Sequence, residues 1–209
     1  MAFTTSGMKT LIAQGFESMK GTGDDMLFAS SITNGCVTAV GTAMVNASPQ
    51  AGADAGPTGS FTGTAAGTMQ VVPASCQATI FAACNAMKGG AQDDDYLASQ
   101  IATAIDTMCK AATFTITITG TTVQPTPLPP VSSVDTGVGT FSSQAILIES
   151  ELKSVMAKMK QVSDGQAGAT DDDLVTALCT GFENYMKAAQ VSIVGATHLA
   201  GTSGMGTIS

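Results

Sequence analysis

The chain has 209 residues, and its 16 acidic side chains outweigh eight basic ones, all lysine, for a net charge of −8. A polyanion is repelled by that balance, and without arginine there is no bidentate fork for phosphate, so nucleic acid and anionic membrane are excluded as partners. No apolar run reaches the ~20 residues of a membrane span, and residues 1–9 lack the basic and apolar regions of a signal peptide, so synthesis in the cytoplasm is expected.

In chain order, residues 8–19 read as a helix, with Ile12 and Phe16 four apart before the pair Met19-Lys20. Gly23 marks a turn in residues 21–23, and Asp24-Asp25 open a second helix with Phe28, Ile32, Cys36 and Ala39 on one stripe, weakened by Gly35 and Gly41. A weak strand at Ala43-Met44-Val45 precedes a Gly- and Ala-rich stretch, residues 47–67, read as a long loop. The chain returns through Gly67-Thr68-Met69-Gln70.

The same order follows from residue 71. Ile80 and Cys84 mark a helix over 76–87, Met87-Lys88 ends it, and Asp93-Asp94-Asp95 open a helix carrying Leu97, Ile101, Ile105 and Met108. The breakers of 89–92 separate the two. Residues 113–119 alternate strictly between Thr and an apolar residue, which predicts a strand with Phe114, Ile116 and Ile118 on its covered face. Residues 120–137, with Pro125, Pro127, Pro129 and Pro130, read as a second long loop before Gly139-Thr140-Phe141-Ser142.

From residue 143, a helix over 146–160 carries Leu152 and Met156 before Met159-Lys160, a turn spans 163–170, and Asp171-Asp172-Asp173 open a helix with Leu174, Leu178, Phe182 and Tyr185. Val191-Ser192-Ile193-Val194 reads as a strand, 195–204 as the shortest loop, and Gly206-Thr207-Ile208-Ser209 as the return. Residues 94–116 align with 171–193 without a gap. The expected fold is therefore α+β: three tandem copies, at 1–70, 71–142 and 143–209, each a helical hairpin followed by a long-looped β-hairpin, packed in a pseudo-threefold or stacked arrangement. A copy of about seventy residues is marginal alone, so the copies are expected to pack on one another.

Few residues suggest chemistry, and no catalytic, cofactor-binding or metal-binding residue is expected. The acidic groups Asp24-Asp25, Asp93-Asp94-Asp95 and Asp171-Asp172-Asp173 stand where helices start, so they read as caps and dipole partners; the spaced ligands and closing Glu of a calcium loop are missing. Cys36, Cys76, Cys84, Cys109 and Cys179 form no C-x-x-C, and Cys76 and Cys84, two helical turns apart, cannot bridge each other in a regular helix. They read as reduced, buried apolar residues. His198, the single histidine, has no nucleophile at a recognisable spacing and reads as a solvated or contact residue. The glycine words at 63–67 and 201–206 lack the lysine of a phosphate loop. The twelve methionines stand at helical steps and read mainly as core.

Thr136-Gly137-Val138-Gly139-Thr140-Phe141-Ser142 and Ser203-Gly204-Met205-Gly206-Thr207-Ile208-Ser209, each after a helical hairpin, a strand and a variable loop, resemble small virion structural proteins of tailed bacteriophages; the first copy departs, with Ala65-Ala66-Gly67-Thr68-Met69-Gln70. The resemblance implies a non-enzymatic protein of the virion that joins or decorates capsid, neck, tail or baseplate subunits, in multiple copies, with other virion subunits as partners. A receptor- or glycan-binding tail module is the alternative. The absence of Trp and the presence of only two Tyr weigh against it, because sugar platforms use such rings. The loops at 47–67 and 120–137 are the expected contact sites.

Overall fold

The computed structural model describes residues 3–20, 22–90, 92–163 and 168–209, the side chains of 49, 162 and 163 excepted. The turn expectations at 21, 91 and 164–167 fall outside the described residues. In chain order the elements are α1 (Ser6–Met19), α2 (Asp25–Val40), β1 (Met44–Asp54), β2 (Gly59–Gln70), α3 (Ala74–Lys88), α4 (Asp94–Lys110), β3 (Thr113–Val123), β4 (Val131–Ser142), α5 (Ile146–Ser163), α6 (Asp171–Lys187), β5 (Gln190–Gly195) and β6 (Gly201–Ile208).

The helices form because their apolar residues fall at 3.6-residue steps, and the starts of α2, α4 and α6 are capped by side chains. Met8, Ile12 and Phe16 are buried on α1; Ile101, Ile105 and Met108 on α4; Leu178, Phe182 and Tyr185 on α6. Asp24 accepts from the amides of Met26 and Leu27 at 2.9 and 3.1 Å, Asp93 from that of Tyr96 at 3.0 Å, and Thr170 forms a reciprocal capping box with Asp173. Asp94 and Asp172 lie inside the first turn rather than at the cap. Each helix packs on its neighbour in sequence and α1 also packs on α6, so the six close into a ring. Ion pairs tie this layer together at its surface, Lys88 to Asp25 at 2.5 Å and Lys9 to Asp172 at 3.7 Å.

The six strands form one closed antiparallel barrel in the order β1-β2-β3-β4-β5-β6, with β6 returning to β1. This corrects the expected arrangement of separate helical hairpins and β-hairpins. β2 pairs with β3 along eleven positions, from Ser60↔Val123 to Gln70↔Thr113, and β4 pairs with β5, so no hairpin is a unit by itself. A hairpin standing alone would leave two edges of unpaired amides and carbonyls, and closure removes every edge. The long loops are corrected as well: most of 47–67 and 120–137 is strand, leaving connectors only at 55–58 and 124–130.

Small residues let this narrow barrel close. Gly63 and Gly120 face each other across β2 and β3, and the Phe61 ring lies over both, so that a Cβ on either would stand 2.6 Å from its Cζ. The aromatic ring fills the interior that the glycines leave open. Phe141 of β4 closes the other end against Tyr185 of α6, with ring centroids 5.6 Å apart, and Tyr185 stacks in turn on Phe182 at 6.1 Å. Because β1, β3 and β5 enter directly from α2, α4 and α6, the helical ring sits at one rim of the barrel and the three connectors at the other.

Candidate functional site

The barrel interior is apolar toward the helices and polar toward the connectors. Val45, Met69, Ile116, Phe141 and Ile208 fill the first part, whereas Gln50, Asp54, Thr122, Ser133, Asp135 and Thr202 are buried near the second. Asp54 reaches the interior because β1 carries one extra residue between Ala47 and Gln50, where its register against both β2 and β6 shifts. A bulge of this kind inverts the facing of every later residue in the strand.

The Asp54 side chain is wholly buried and fully hydrogen-bonded. Oδ1 accepts from the Gly56 amide at 2.8 Å and from His198 Nδ1 at 2.9 Å; Oδ2 accepts from Ser133 Oγ at 2.8 Å and from Thr122 Oγ1. Burial pushes the carboxyl upward, but the Thr122, Ser133, His198 and Gly56 donors outweigh it and hold the group down at about 2. Asp135, the next inward residue of β4 after Ser133, gathers the β5–β6 connector: it accepts from the amides of Thr136 (2.7 Å), Thr197 (3.0 Å) and Leu199 (2.9 Å) and from Thr197 Oγ1. Burial again opposes ionisation, the Thr197 hydroxyl and these amides prevail, and Asp135 also stands at about 2.

His198 spans the rim. Its Nδ1 faces Asp54, and its Nε2 lies 2.9 Å from the Val134 carbonyl oxygen. Both neighbours are acceptors, so both ring nitrogens donate only when the imidazole is protonated. The Asp54 contact, followed by the Val134 carbonyl, raises its pKa. The Ala55 amide donates to the His198 carbonyl at 2.8 Å, and Gln124 Nε2 donates to the Pro57 carbonyl at 2.5 Å, so all three connectors are joined.

This constellation contains a histidine, a carboxylate and two hydroxyls, yet its geometry locks the rim and does not activate a nucleophile. A general base must face the hydroxyl it deprotonates. Here Ser133 and Thr122 donate to the carboxylate, and the remaining imidazole nitrogen faces a carbonyl. The sequence reading of His198 as a solvated or contact residue missed its partner 144 positions away. Asp54 and Asp135 are the only charged residues in the described strands, a singularity that shows only once the strands are known, because both lie in stretches that read as loops from the sequence.

The other candidates lie apart from the rim. The acidic groups stand at the starts of α2, α4 and α6, and among the described residues no group of three or more His, Cys, Asp or Glu is placed to hold a metal ion. The five cysteines are unbridged. Burial pushes the thiols of Cys76, Cys84 and Cys179 up to about 11 and those of Cys36 and Cys109 higher. No described helix is long and apolar enough to cross a membrane.

The outer wall of the barrel carries no charge. The two strand aspartates point inward, so the wall is built from Thr, Ser, Ala, Val, Asn, Gln, Gly and Met, while the described helices and connectors hold thirteen acids against eight lysines. Outward residues of β3 are threonines at 113, 115, 117, 119 and 121 and then Val123; on β4, β5 and β6 they include Val134, Val138, Val194 and Met205, the last 54% exposed. Comparison of the chain with protein-family models, with curated proteins and with solved structures gives no match in any of the three.

Proposed function

We propose that this chain is a non-enzymatic structural protein of a virus particle that joins or decorates capsid, neck, tail or baseplate subunits, and that the barrel wall is its contact face. The observation that carries this reading is the segregation of charge: a chain with a net charge of −8 keeps every charged side chain off the outside of six strands. A protein in water gains solubility from surface charge and loses it where charge is withheld. A broad neutral surface with exposed Val and Met suits contact with other protein subunits, because charged groups are depleted at the centres of interfaces. The rim supports the same reading, since its histidine and carboxylates are engaged in joining connectors. The particle itself is suggested by the resemblance of the Gly-Thr-apolar strand endings.

Mass spectrometry of purified particles from the virus encoding the chain tests the proposal. The chain is expected at a copy number comparable to other structural subunits, and lysine substitutions on the barrel wall are expected to reduce its incorporation. Its absence from particles, or a trace amount unaffected by wall substitutions, would overturn this reading.

A further inference from the structure

The ladders of the barrel do not reach the connector rim everywhere. β5 is the shortest strand, and its pairing with β4 stops at Gly137↔Gly195, while residues 131–136 of β4 run on in a ladder with β3 alone. The β5–β6 connector lies along this stretch in place of a strand. The Ala196 amide adds one bond, to the Thr136 carbonyl at 2.9 Å, and Asp135 holds the amides of Thr197 and Leu199. Between them His198 crosses from Asp54, at the end of β1, to the Val134 carbonyl, 2.9 Å from each. The imidazole is partly in solvent, whereas the Asp54 side chain beneath it is wholly buried.

We propose that the His198 imidazole is a pH-operated strap over the free edge of β4: protonated, it fastens Val134 to Asp54; neutral, it pivots on Asp54, releases the Val134 carbonyl and turns its bare nitrogen to water. A neutral ring has one N–H for two acceptors. The charged carboxylate is the stronger acceptor and keeps it, which leaves the Nε2 lone pair against a carbonyl oxygen at 2.9 Å. Water replaces that contact readily, because β5 ends before Val134 and the ring already stands at the surface. The surroundings confine the change to the ring. The titratable groups facing it are Asp54 on β1 and Asp135 on β4; the β1–β2 connector presents Ala55 and Gly56, and β3 presents Thr122 behind Asp54. Asp135 stays bonded to Thr136, Thr197 and Leu199 whatever the ring does, so the connector remains seated. Because Asp54 favours the protonated ring, the strap holds past the ordinary histidine value of ~6.5 and lets go as pH rises further. The strap belongs to the rim and is independent of the proposed use of the barrel wall.

His198 is the single histidine, so the untagged wild-type chain reports on the strap without any substitution. Nuclear magnetic resonance of the chain with nitrogen-labelled histidine, from about pH 5 to about pH 9, is expected to show both ring nitrogens protonated at the acid end and the Nδ1–H tautomer at the alkaline end. The amide signals of Ala55, Gly56 and Val134 should move with the ring's titration, and those of Thr197, Leu199 and Ile105 should not. At the alkaline end, carbethoxylation of the ring by diethyl pyrocarbonate should proceed at a rate comparable to that of the same chain in urea. An Nε2–H tautomer, a carbethoxylation rate lower by about tenfold or more, or signals that move equally at Ile105 and at the rim would overturn the inference.

Discussion

At the scale of single residues, His198 is the one side chain whose titration reaches across the barrel rim. Its pKa is raised in the folded state by Asp54 and then by the Val134 carbonyl. A group raised in this way contributes stability that is complete below its unfolded value, ~6.5, and disappears as pH rises through the folded value. The charged neighbours facing it are Asp54 on β1 and Asp135 on β4, both ionised throughout this range, and the thiols stay protonated because burial raises them. The denaturation midpoint of the wild type should therefore fall from pH 6 to pH 9 by more than that of His198→Gln. Parallel curves for the two proteins would mean that the histidine carries no linkage. Asp54 has the opposite sign: held at about 2, it contributes stability above the unfolded value, ~3.9, that is lost as pH falls through about 2. Asp54→Asn should flatten the acid limb of the same titration and cost about 1–3 kcal/mol at neutral pH, since an amide nitrogen would then face donors.

At the scale of elements, the helix starts separate capping residues from their acidic neighbours. Asp24→Ala, Asp93→Ala and Thr170→Ala should each cost about 0.5–2 kcal/mol in urea denaturation, because each leaves backbone amides without an acceptor. Asp94→Ala and Asp172→Ala, inside the first turn, should cost only a few tenths through the helix dipole. Losses at Asp94 and Asp172 as large as those at the three caps would show that the first-turn carboxylates, and not the caps alone, hold the helix starts. Among the strands, Phe61 fills the space over the Gly63–Gly120 pair, and Phe61→Ala should cost about 3–5 kcal/mol. A loss near 1 kcal/mol would show that the barrel collapses onto the gap.

At the scale of the whole molecule, closure makes the six strands interdependent. β6 pairs with both β1 and β5, so a chain ending at residue 200 opens the barrel and exposes two edges. Such a truncation should abolish cooperative unfolding throughout the chain, the helical ring included, because Phe141 and Tyr185 join the two layers. Far-UV circular dichroism against urea reads this directly: survival of a native-like transition for residues 1–142 would show separable units instead of one barrel.

The sequence by itself determined the helical stripes and the places where helices start, because 3.6-residue periodicity and capping are local. It also marked β3, where Thr and apolar residues alternate from 113 to 119. It did not reveal β1 and β2 across 47–67, since Gly, Ala and Thr give almost no strand signal until neighbouring strands supply their hydrogen bonds and Phe61 fills the interior. Neither Asp54 nor Asp135 was legible as an inward residue, because both fall in stretches that read as loops, 47–67 and 120–137; Asp54, counted from Val45 and Ala47, points outward until the bulge turns it inside. The pairing of Asp54 with His198, and the neutral wall that closure creates, are long-range consequences of tertiary structure. Spacing along the chain carries no record of which strand meets which, and that is what set the rim, the wall and the single barrel.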